Sequence, residues 1–600
     1  MWPVVSDRSL YLRAAEHLRA NEAQWKAYES DGHCVVLAGP GSGKTKVLTT
    51  KLAKVLFEEI QEPRGVACIT YNNECARELE TRLYALGVEP SRRVFIGTVH
   101  SFSLTQVILP YAKTAKLEVP NEFTVATQRQ QRTALEIAFK RVIGGPENPQ
   151  SWSFRMARYR RSILDRASKQ WHEEDPQLAK LVEAYEAELR KMGVIDFDDM
   201  PLLASRALAA NEWMRRALLA KYPVLAVDEY QDLGRALHRM VVGLCFGAGI
   251  RLFAVGDVDQ SIYGFTGASP ELLQQLSERL DVQTVRLRLN YRCGFRIVTA
   301  SEYVLGEERG YKARDGAAQG TIYFHPRIGG YEQQAEYVFS SLIPQSKARI
   351  PKLTLGQIAV LYPAAWIGDA VDAAAREHGI GTVRSDTNAL YPRSSRLMRW
   401  LEGCAVWCCG GWRLGYPRLA RLVLEGRNLF SEALVSDEKR RLFQRDLLKE
   451  LWGHRDGTMP LHDWLTALRG NLIADLIGQC RTQSEERAIL DVFIERTGPE
   501  GDVADMTLSA FSGFGDGGNR INLSTLHSSK GREFSVVILF GMDAGRIPRN
   551  GALTTEIREA RRSFYVGFTR AEDEVHIVYT SGHASSFVTE VRGRLEPEES

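Results

Sequence analysis

The sequence predicts an α/β protein built from two parallel-sheet domains, each interrupted by a mostly helical insertion. Three observations support this fold class. Short apolar runs end in glycine-rich or acidic turns, which is where parallel strands present functional groups at their carboxyl edge. Strand signals return after residue 290, so a second sheet follows the first. Two long stretches between the strand signals have helical spacing and little alternation.

Length and composition limit the possible organisation. A chain of 600 residues exceeds the size of one hydrophobic core and predicts several domains. Lys and Arg total 77 against 74 Asp and Glu, so a nucleic-acid surface has to be local rather than a global basic field. Nine scattered cysteines are typical of reduced thiols, and no apolar run reaches about 18 residues. We therefore expect a cytoplasmic protein without a membrane span.

The first sheet begins with a phosphate-binding pattern. An apolar run at residues 35–37 leads into AGPGSGKT at residues 38–45, and apolar residues with helical spacing follow. The backbone N–H groups of such a turn and helix start converge on one point, which suits a polyanionic phosphate. We predict that Lys44 reaches the β- and γ-phosphates and that Thr45 ligates Mg²⁺. The other nucleotide-binding residues predicted from this segment are Gly39, Gly41, Ser42, Gly43 and Lys46.

Two further apolar runs, at residues 224–227 and 252–255, end in acidic residues. The first is followed by Asp228 and Glu229, which lie one residue apart at a strand end downstream of the phosphate loop. Asp228 can hold Mg²⁺ through water, while Glu229 can orient or deprotonate the attacking water. The pair therefore predicts a hydrolytic site at the carboxyl edge of this sheet.

The strand and helix signals also predict the domain boundaries. Residues 105–196 are mostly helical with a basic, aromatic stretch, and residues 385–515 are rich in Trp, Leu and Arg with little strand alternation. Strand signals at residues 358–362, 521–526 and 536–539 belong to the second sheet. The predicted division is residues 1–104 with 197–284 for the ATP-binding sheet domain, 105–196 for its helical insertion, 285–384 with 516–600 for the second sheet domain, and 385–515 for a reduced helical insertion.

Nine sequence blocks, in this order along nearly the whole chain, identify a family resemblance. They are Gln24, AGPGSGKT (38–45), TYNNECARELETRL (70–83), GTVHSF (97–102), VDEYQD (227–232), VGDVDQSIYGFTGA (255–268), LNYR (289–292), TLHSSKGREF (525–534) and YVGFTRA (565–571). The set resembles the UvrD/Rep/PcrA group of superfamily-1 helicases. The resemblance implies two RecA-like domains of the P-loop NTPase class. It also implies a DNA-stimulated ATPase that uses ATP and Mg²⁺, moves 3′ to 5′ on single-stranded DNA and unwinds duplex.

The resemblance also assigns roles around the nucleotide. Gln24 would read the adenine edge, Tyr291 would stack on the base, and Gln260 would sense the γ-phosphate. An arginine supplied across a domain cleft stabilises transition-state charge when the cleft closes, and such residues can contribute about 10³ to 10⁵ in rate. The residues that the resemblance implies on the second sheet domain are Arg292, Arg570, Gly531 and Glu533.

Contacts to a DNA strand are the remaining implication. Sequence-tolerant binding of single strands needs aromatic faces for bases and polar groups for phosphates. The aromatic residues in the blocks where the family contacts its strand are Tyr71, Phe102, Tyr263 and Phe265. The polar residues in those blocks are Asn73, Thr98, His100, Thr525 and His527.

Several departures from the family pattern leave an alternative open. Phe265-Thr266 stands where the family usually has Trp-Arg, Pro363 stands where an arginine is common, and the second insertion is short. These changes favour an ATP-gated DNA-sensing or regulatory subunit that acts with a partner such as a nuclease. The pathway stays open among DNA repair, recombination, plasmid replication and antiviral defence.

A metal cluster is a further hypothesis for the second insertion. Its thiols could in principle hold zinc or iron–sulfur, but they lack a CxxC pair and lie among tryptophans, which favours buried thiols. The cysteines concerned are Cys404, Cys408, Cys409 and Cys480.

Overall fold

The computed structural model describes residues 8–89, 91, 93–264, 267–386, 389–392, 395–415, 417–480, 483–501, 503–512 and 520–595. These residues form two compact units. The first contains the described residues up to Thr321, Pro548–Asp573 and those from Thr589 onward, and the second contains Ile322–Ile547 and Glu574–Val588. Both units contain a sheet with parallel strand pairs and many helices, which confirms the predicted α/β class.

The first unit has a six-stranded sheet in the order β3-β2-β6-β7-β1-β8, with every neighbouring pair parallel. Its strands and short accessory strands are β1 (His33–Ala38), β2 (Val66–Thr70), β3 (Val94–Thr98), β4 (Thr124–Val125), β5 (Val194–Ile195), β6 (Val224–Val227), β7 (Arg251–Gly256), β8 (Val282–Leu287), β9 (Leu289–Asn290) and β10 (Lys312–Ala313). Strand β7 lies between β6 and β1, and all three run parallel, although β1 is far from the other two in sequence. The loops that follow these strands therefore meet at one edge of the sheet.

Helices cover the first sheet and form its insertion. They are α1 (Arg8–Glu16), α2 (Glu22–Glu29), α3 (Lys44–Lys54), α4 (Asn73–Ala85), α5 (Val99–Phe102), α6 (Leu109–Tyr111), α7 (Gln128–Val142), α8 (Gln150–Ser162), α9 (Lys169–Glu173), α10 (Pro176–Lys191), α11 (Asp199–Ala210), α12 (Glu212–Lys221), α13 (Arg235–Val241), α14 (Glu271–Ser277) and α15 (Phe295–Leu305). Among the described helices of the whole chain, none is long and apolar enough to cross a membrane.

The helices from α7 to α10 enclose a core of their own that includes Trp152 and Trp171. Part of the basic stretch noted in the sequence turns inward here. Arg160 is 1% exposed and lies 2.6 Å from Asp196 and 2.9 Å from Asp199. A buried guanidinium is tolerated only when paired in this way. This arginine therefore stabilises the insertion and is removed from any nucleic-acid surface.

The second sheet has the strand order β11-β16-β15-β12-β14-β13, and β12 pairs in parallel with both β14 and β15. Its strands are β11 (Thr321–Arg327), β12 (Ile358–Tyr362), β13 (Gly381–Arg384), β14 (Arg520–Thr525), β15 (Phe534–Leu539) and β16 (Ala571–Thr580). All five residues of β12 are buried, which is typical of a central strand covered on both faces.

The remaining helices are α16 (Tyr331–Tyr337), α17 (Ile343–Arg349), α18 (Ile367–Glu377), α19 (Arg396–Val406), α20 (Trp412–Leu414), α21 (Leu419–Leu429), α22 (Asp437–Gly453), α23 (Leu461–Leu468), α24 (Ala474–Gln479), α25 (Ser484–Thr497), α26 (Leu508–Ser512), α27 (Thr554–Phe568) and α28 (Ser586–Leu595). Helices α19 to α26 share a core that contains Trp400 and Trp464. Cys404, Cys408 and Cys480 are buried in this core as free thiols. No group of three or more metal-binding side chains occurs among the residues that the structure describes.

Residues 285–321 and 548–573, which the sequence assigns to the second sheet domain, group with the first unit by their contacts. The four-part division of the chain therefore stays a prediction. The grouping matters for function, because it places Tyr291, Arg292 and Arg570 in the same compact unit as the phosphate loop.

Candidate active site

The loop between β1 and α3 is shaped by three glycines. Gly41 and Gly43 have φ of 63° and 83°, a left-handed conformation that glycine adopts without strain. A Cβ on Gly39 would come within 2.4 Å of the Tyr311 ring, and one on Gly41 within 2.7 Å of the Asn290 side chain. Glycine is therefore required here both for the turn and for close packing.

Gln24 and Tyr291 flank this loop. Gln24 is 2% exposed, and its Nε2 donates to the Ser42 carbonyl at 2.9 Å. The Tyr291 N–H donates to the Gly41 carbonyl at 2.8 Å, and Asn21 donates to the Tyr291 hydroxyl at 3.0 Å. Both residues that the family resemblance places near the base thus contact the phosphate loop itself.

The acidic residues that follow β6 face the same loop. Lys44 Nζ lies 3.7 Å from Glu229 Oε1. Glu229 has φ of 50°, a conformation that costs a non-glycine residue energy and often marks functional sites. Gln231 donates to the Glu229 carboxylate through Nε2 and accepts from the Asp257 N–H at 3.0 Å through Oε1. The ends of β6 and β7 are joined by this single amide side chain.

The buried carboxyl groups at this edge are poorly compensated. Burial, followed by the charge of Glu229, raises the pKa of Asp228 to about 7, although Lys44 opposes the shift. Burial likewise raises the pKa of Asp257 to about 6, with Lys44 again lowering it. A cation placed beside such a carboxyl group stabilises its charged form. The Asp228 carboxylate and the Thr45 hydroxyl are oxygen donors, which fits the ligand preference of Mg²⁺.

A chain of polar contacts continues from β7 to the residues after α27. Gln260 Nε2 donates to Asp257 Oδ2 at 2.8 Å, and Arg570 Nη2 donates to Gln260 Oε1 at 3.4 Å. Arg570 is 2% exposed, and its Nε donates to the Val566 carbonyl at 2.9 Å. Arg292 Nη1 donates to the Thr569 carbonyl at 3.3 Å. Lys44, Glu229, Gln260, Arg292 and Arg570 thus belong to one connected region of the first unit.

Three residues predicted to bind the nucleotide do not belong to the contact network described above. Gly531 (φ 85°) and Glu533 are exposed and belong to the second unit. Lys46, on the first turn of α3, is partly buried, and burial lowers the pKa of its ammonium.

Sequence reasoning missed two residues that complete this network and one that packs on it. Gln231 and Asp257 join the separate motifs, although both lie inside blocks already identified, and their partnership has no sequence signal. Tyr311 lies against Gly39 and lines a cavity of about 430 Å³ beside the loop. No pattern around residue 311 indicates this contact.

Part of the predicted strand-contact set comes together in the first unit. The rings of Tyr71 and Tyr263 stack with centroids 4.5 Å apart and an interplanar angle of 22°. A cavity of about 360 Å³ opens beside them and is lined by Tyr71, His100, Arg161, Asp198 and Arg235 among others. Burial lowers the pKa of His100, so its ring is neutral near pH 7.

The other predicted strand contacts have different positions. Phe102 is 2% exposed and packs edge-on against Phe95, so its ring is a core residue and its assignment to the strand surface is corrected. Thr98 accepts from the Ser101 N–H at 3.2 Å and caps α5. Thr525 and His527 are partly buried in the second unit. Phe265 and the Asn73 side chain lie outside the described residues.

Comparison with known proteins agrees with this geometry. A family model described as the UvrD/REP helicase N-terminal domain matches residues 20–281, and one described as the UvrD-like helicase C-terminal domain matches residues 472–582. ATP-dependent DNA helicase Rep of Escherichia coli (strain K12) is 26% identical, covering 93% of this chain and 90% of that protein. ATP-dependent DNA helicase PcrA of Staphylococcus epidermidis (strain ATCC 12228 / FDA PCI 1200) is 24% identical, covering 91% and 81%. The chain belongs to the UvrD-like helicases of superfamily 1.

Proposed function

We propose that this chain is an ATP-dependent DNA helicase or translocase that moves 3′ to 5′ on single-stranded DNA and unwinds duplex. The observation that carries the proposal is the connected network that contains Lys44, Glu229, Gln260 and Arg570 within one compact unit. Such a network joins the phosphate loop to the residues that complete the transition state. The names of the two relatives described above, both ATP-dependent DNA helicases, support the choice of DNA as substrate.

The residues of the site divide the chemistry between them. The N–H groups of the loop and the Lys44 ammonium hold the phosphates of ATP. Asp228 and Thr45 would hold Mg²⁺, and the bound ion would neutralise negative charge on the phosphates. Glu229 orients the attacking water and accepts its proton. Gln260, Arg292 and Arg570 contact the γ-phosphate, and Gln24 and Tyr291 contact the base. On the family resemblance, Gly531 and Glu533 are proposed as further nucleotide contacts.

The proposed strand surface is built around the stacked pair Tyr71 and Tyr263. Each base stacked on an aromatic face contributes about 1 to 3 kcal/mol, and the adjoining cavity provides polar groups beside the rings. The further proposed contacts are Asn73, Thr98, His100, Phe265, Thr525 and His527.

The proposal is tested by measuring ATP hydrolysis with and without single-stranded DNA, followed by strand displacement on 3′-tailed and 5′-tailed duplexes. We expect stimulation by the single strand and displacement from the 3′-tailed substrate. Streptavidin should be displaced more readily from a biotinylated 5′ end than from a 3′ end. A rate of ATP hydrolysis that does not change when single-stranded DNA is added contradicts the proposal. Strand displacement that requires a 5′ tail also contradicts it.

A second candidate is an ATP-gated DNA-sensing subunit that acts with a partner such as a nuclease or accessory factor. Pro363 supports it, because this residue follows β12 directly where an arginine is common in the family. Strong stimulation of hydrolysis by DNA without strand displacement would favour this candidate. We propose a role in DNA repair, recombination or antiviral defence, and the cytoplasm as the compartment where ATP and DNA are both present.

A further inference from the structure

An aromatic and cationic surface lies on the second insertion, where helices α20 and α22 both end. We call Trp412, Arg413, Trp452 and Arg455 the Trp452 surface. Trp452 is 50% exposed, and the neighbouring Leu414 is 76% exposed. The indoles of Trp412 and Trp452 have ring centroids 5.6 Å apart. Large side chains exposed to this degree and clustered together mark binding surfaces more often than packing.

The arginines of this surface are already held in place. The Arg455 guanidinium lies 3.6 Å from the Trp452 ring centroid and 4.8 Å from that of Trp412, and Arg413 lies 4.8 Å from the latter. Arg455 Nε donates to the Trp452 carbonyl at 2.8 Å. Stacking on the two rings and this hydrogen bond restrain the plane of the Arg455 guanidinium group. A guanidinium fixed in a plane loses less entropy when it binds a phosphate.

Within the described part of the chain, neither arginine has an acidic side chain as its partner. Arg413 and Arg455 form no ion pair among the residues that the structure describes. Asp456, the nearest carboxylate in sequence to Arg455, accepts instead from the N–H and hydroxyl of Thr458 at 2.9 and 2.7 Å. The surface therefore keeps its positive charge.

The charge extends along α22. Arg441 and Arg445 precede Trp452 by eleven and seven residues, a spacing that places all three on one helix face over about 16 Å. Both arginines are exposed. Among the described residues, Arg445 pairs with its partly exposed neighbour Asp446 at 2.8 Å, and such surface pairs contribute little. Residues 391–460 contain thirteen Lys and Arg against eight Asp and Glu. The occupant that complements this face is a polyanion.

An exposed indole beside fixed guanidinium groups matches a single strand better than the alternatives. Unpaired bases can stack on an aromatic face, whereas the bases of a duplex are already stacked on each other. A protein partner held by apolar contact would not require the cationic stripe. A purely structural tryptophan would be buried, as Trp407 is at 5% exposure. We propose that the Trp452 surface binds single-stranded DNA, with a base on Trp452 and phosphates on Arg455 and Arg413. This inference rests on the proposed function.

The test is equilibrium binding of a fluorescein-labelled oligothymidylate to the full chain, followed by anisotropy. Trp452→Ala and Arg455→Gln should each weaken binding by roughly fivefold or more, and Arg455→Gln should also reduce the salt dependence by about one ion. Trp452→Phe keeps a stacking face and should restore most of the affinity. Leu442→Ala is the matched control, because Leu442 is an exposed apolar residue on another face of α22. It should bind as the unmodified chain does.

The outcomes separate this inference from the proposed function. If the unmodified chain binds the oligothymidylate and the Trp452 and Arg455 variants bind equally well, the Trp452 surface is not a strand site, although the function stands. An equal loss on a blunt duplex also overturns the inference, because it removes the role of base stacking. If the unmodified chain fails to bind, both proposals are overturned. Arg455→Gln and Trp452→Phe keep the test valid should Trp452→Ala fold poorly.

Discussion

Each unit contains a network of buried charged residues, and the two networks shift the pKa of their carboxyl groups in opposite directions. At the phosphate loop, burial raises the pKa of Asp228 to about 7 and that of Asp257 to about 6. In the second unit, Glu574 is also buried, and burial alone would raise its pKa. Hydrogen bonds from His576, Arg349 and Ser346 instead lower it to about 2.

The second network is complete within the chain. Arg349 binds Glu574 through Nε at 2.7 Å and Nη2 at 3.0 Å, and the Ser346 hydroxyl donates to it at 2.7 Å. His576 contacts the same carboxylate at 3.0 Å and contacts His325 at 3.0 Å. A buried carboxylate satisfied in this way stabilises the fold, whereas one left short of positive charge is prepared for a ligand. The comparison therefore separates structural from functional charge without reference to motifs.

The largest expected effect is on turnover at the first network. Lys44→Ala removes the positive charge that compensates the phosphates, and Glu229→Gln removes the proton acceptor. Each should abolish DNA-stimulated hydrolysis, while Glu229→Gln still binds ATP. The matched change in the second network, Glu574→Gln, should leave turnover per folded molecule unchanged. Steady-state ATPase assays measure turnover in all three variants. Full turnover by Lys44→Ala or Glu229→Gln would contradict the catalytic role of the first network.

The arginines of the two networks provide the next contrast. Arg570→Ala should lower the catalytic rate by about two orders of magnitude or more, with nucleotide affinity changed only a few fold, because ground-state binding rests on the phosphate loop and Tyr291. Arg349→Ala should leave the rate unaltered. Single-turnover hydrolysis together with nucleotide binding separates these effects. A similar loss of rate in both variants would show that the effect is structural.

The free energy of unfolding should be affected more by changes in the second network than by changes in the first, the reverse of the order expected for turnover. Glu574→Gln removes a charged acceptor that serves three donors, so the free energy of unfolding should fall by about 1 to 3 kcal/mol. Asp257→Asn should cost less, because the wild-type carboxylate is already poorly compensated. Urea unfolding of both variants measures the difference. A larger loss for Asp257→Asn would contradict the assignment of Glu574 as the structural carboxylate.

The smallest effect is a pH dependence. Burial, with the charges of His576, Arg327 and Arg349, lowers the pKa of His325 to about 3. The unfolded chain binds a proton here below its ordinary pKa of about 6.5 and the folded chain does not, so stability falls as the pH drops below that value. The slope is about 1.4 kcal/mol per pH unit for one histidine.

His325→Gln should reduce this slope between pH 6 and 5. Unfolding by urea at several pH values provides the measurement. His325 contacts Tyr323 on its own strand, Tyr337, and His576 on β16. Arg327 and Arg349 act on it through their charges. An unchanged slope would place the acid sensitivity elsewhere in the chain.

The sequence by itself determined the parts of the site that are contiguous. The phosphate loop needs left-handed turns at Gly41 and Gly43, then Lys44 at a helix start, and these requirements lie within eight residues. The pair Asp228 and Glu229 was also predictable, since it follows an apolar strand directly. The α/β class followed from the same local signals.

Only the tertiary structure decided which distant side chains meet. Gln231, Asp257, Gln260 and Arg570 are joined because β6 and β7 are neighbours and because the segment after α27 packs within the first unit. Phe102 became a core residue, and Arg160 and Glu574 became buried charges, through packing against residues far along the chain. Such pairings depend on the order of strands in the sheet and on the closing of long loops. Local sequence periodicity indicates helices and strands, but it does not indicate strand order or loop closure.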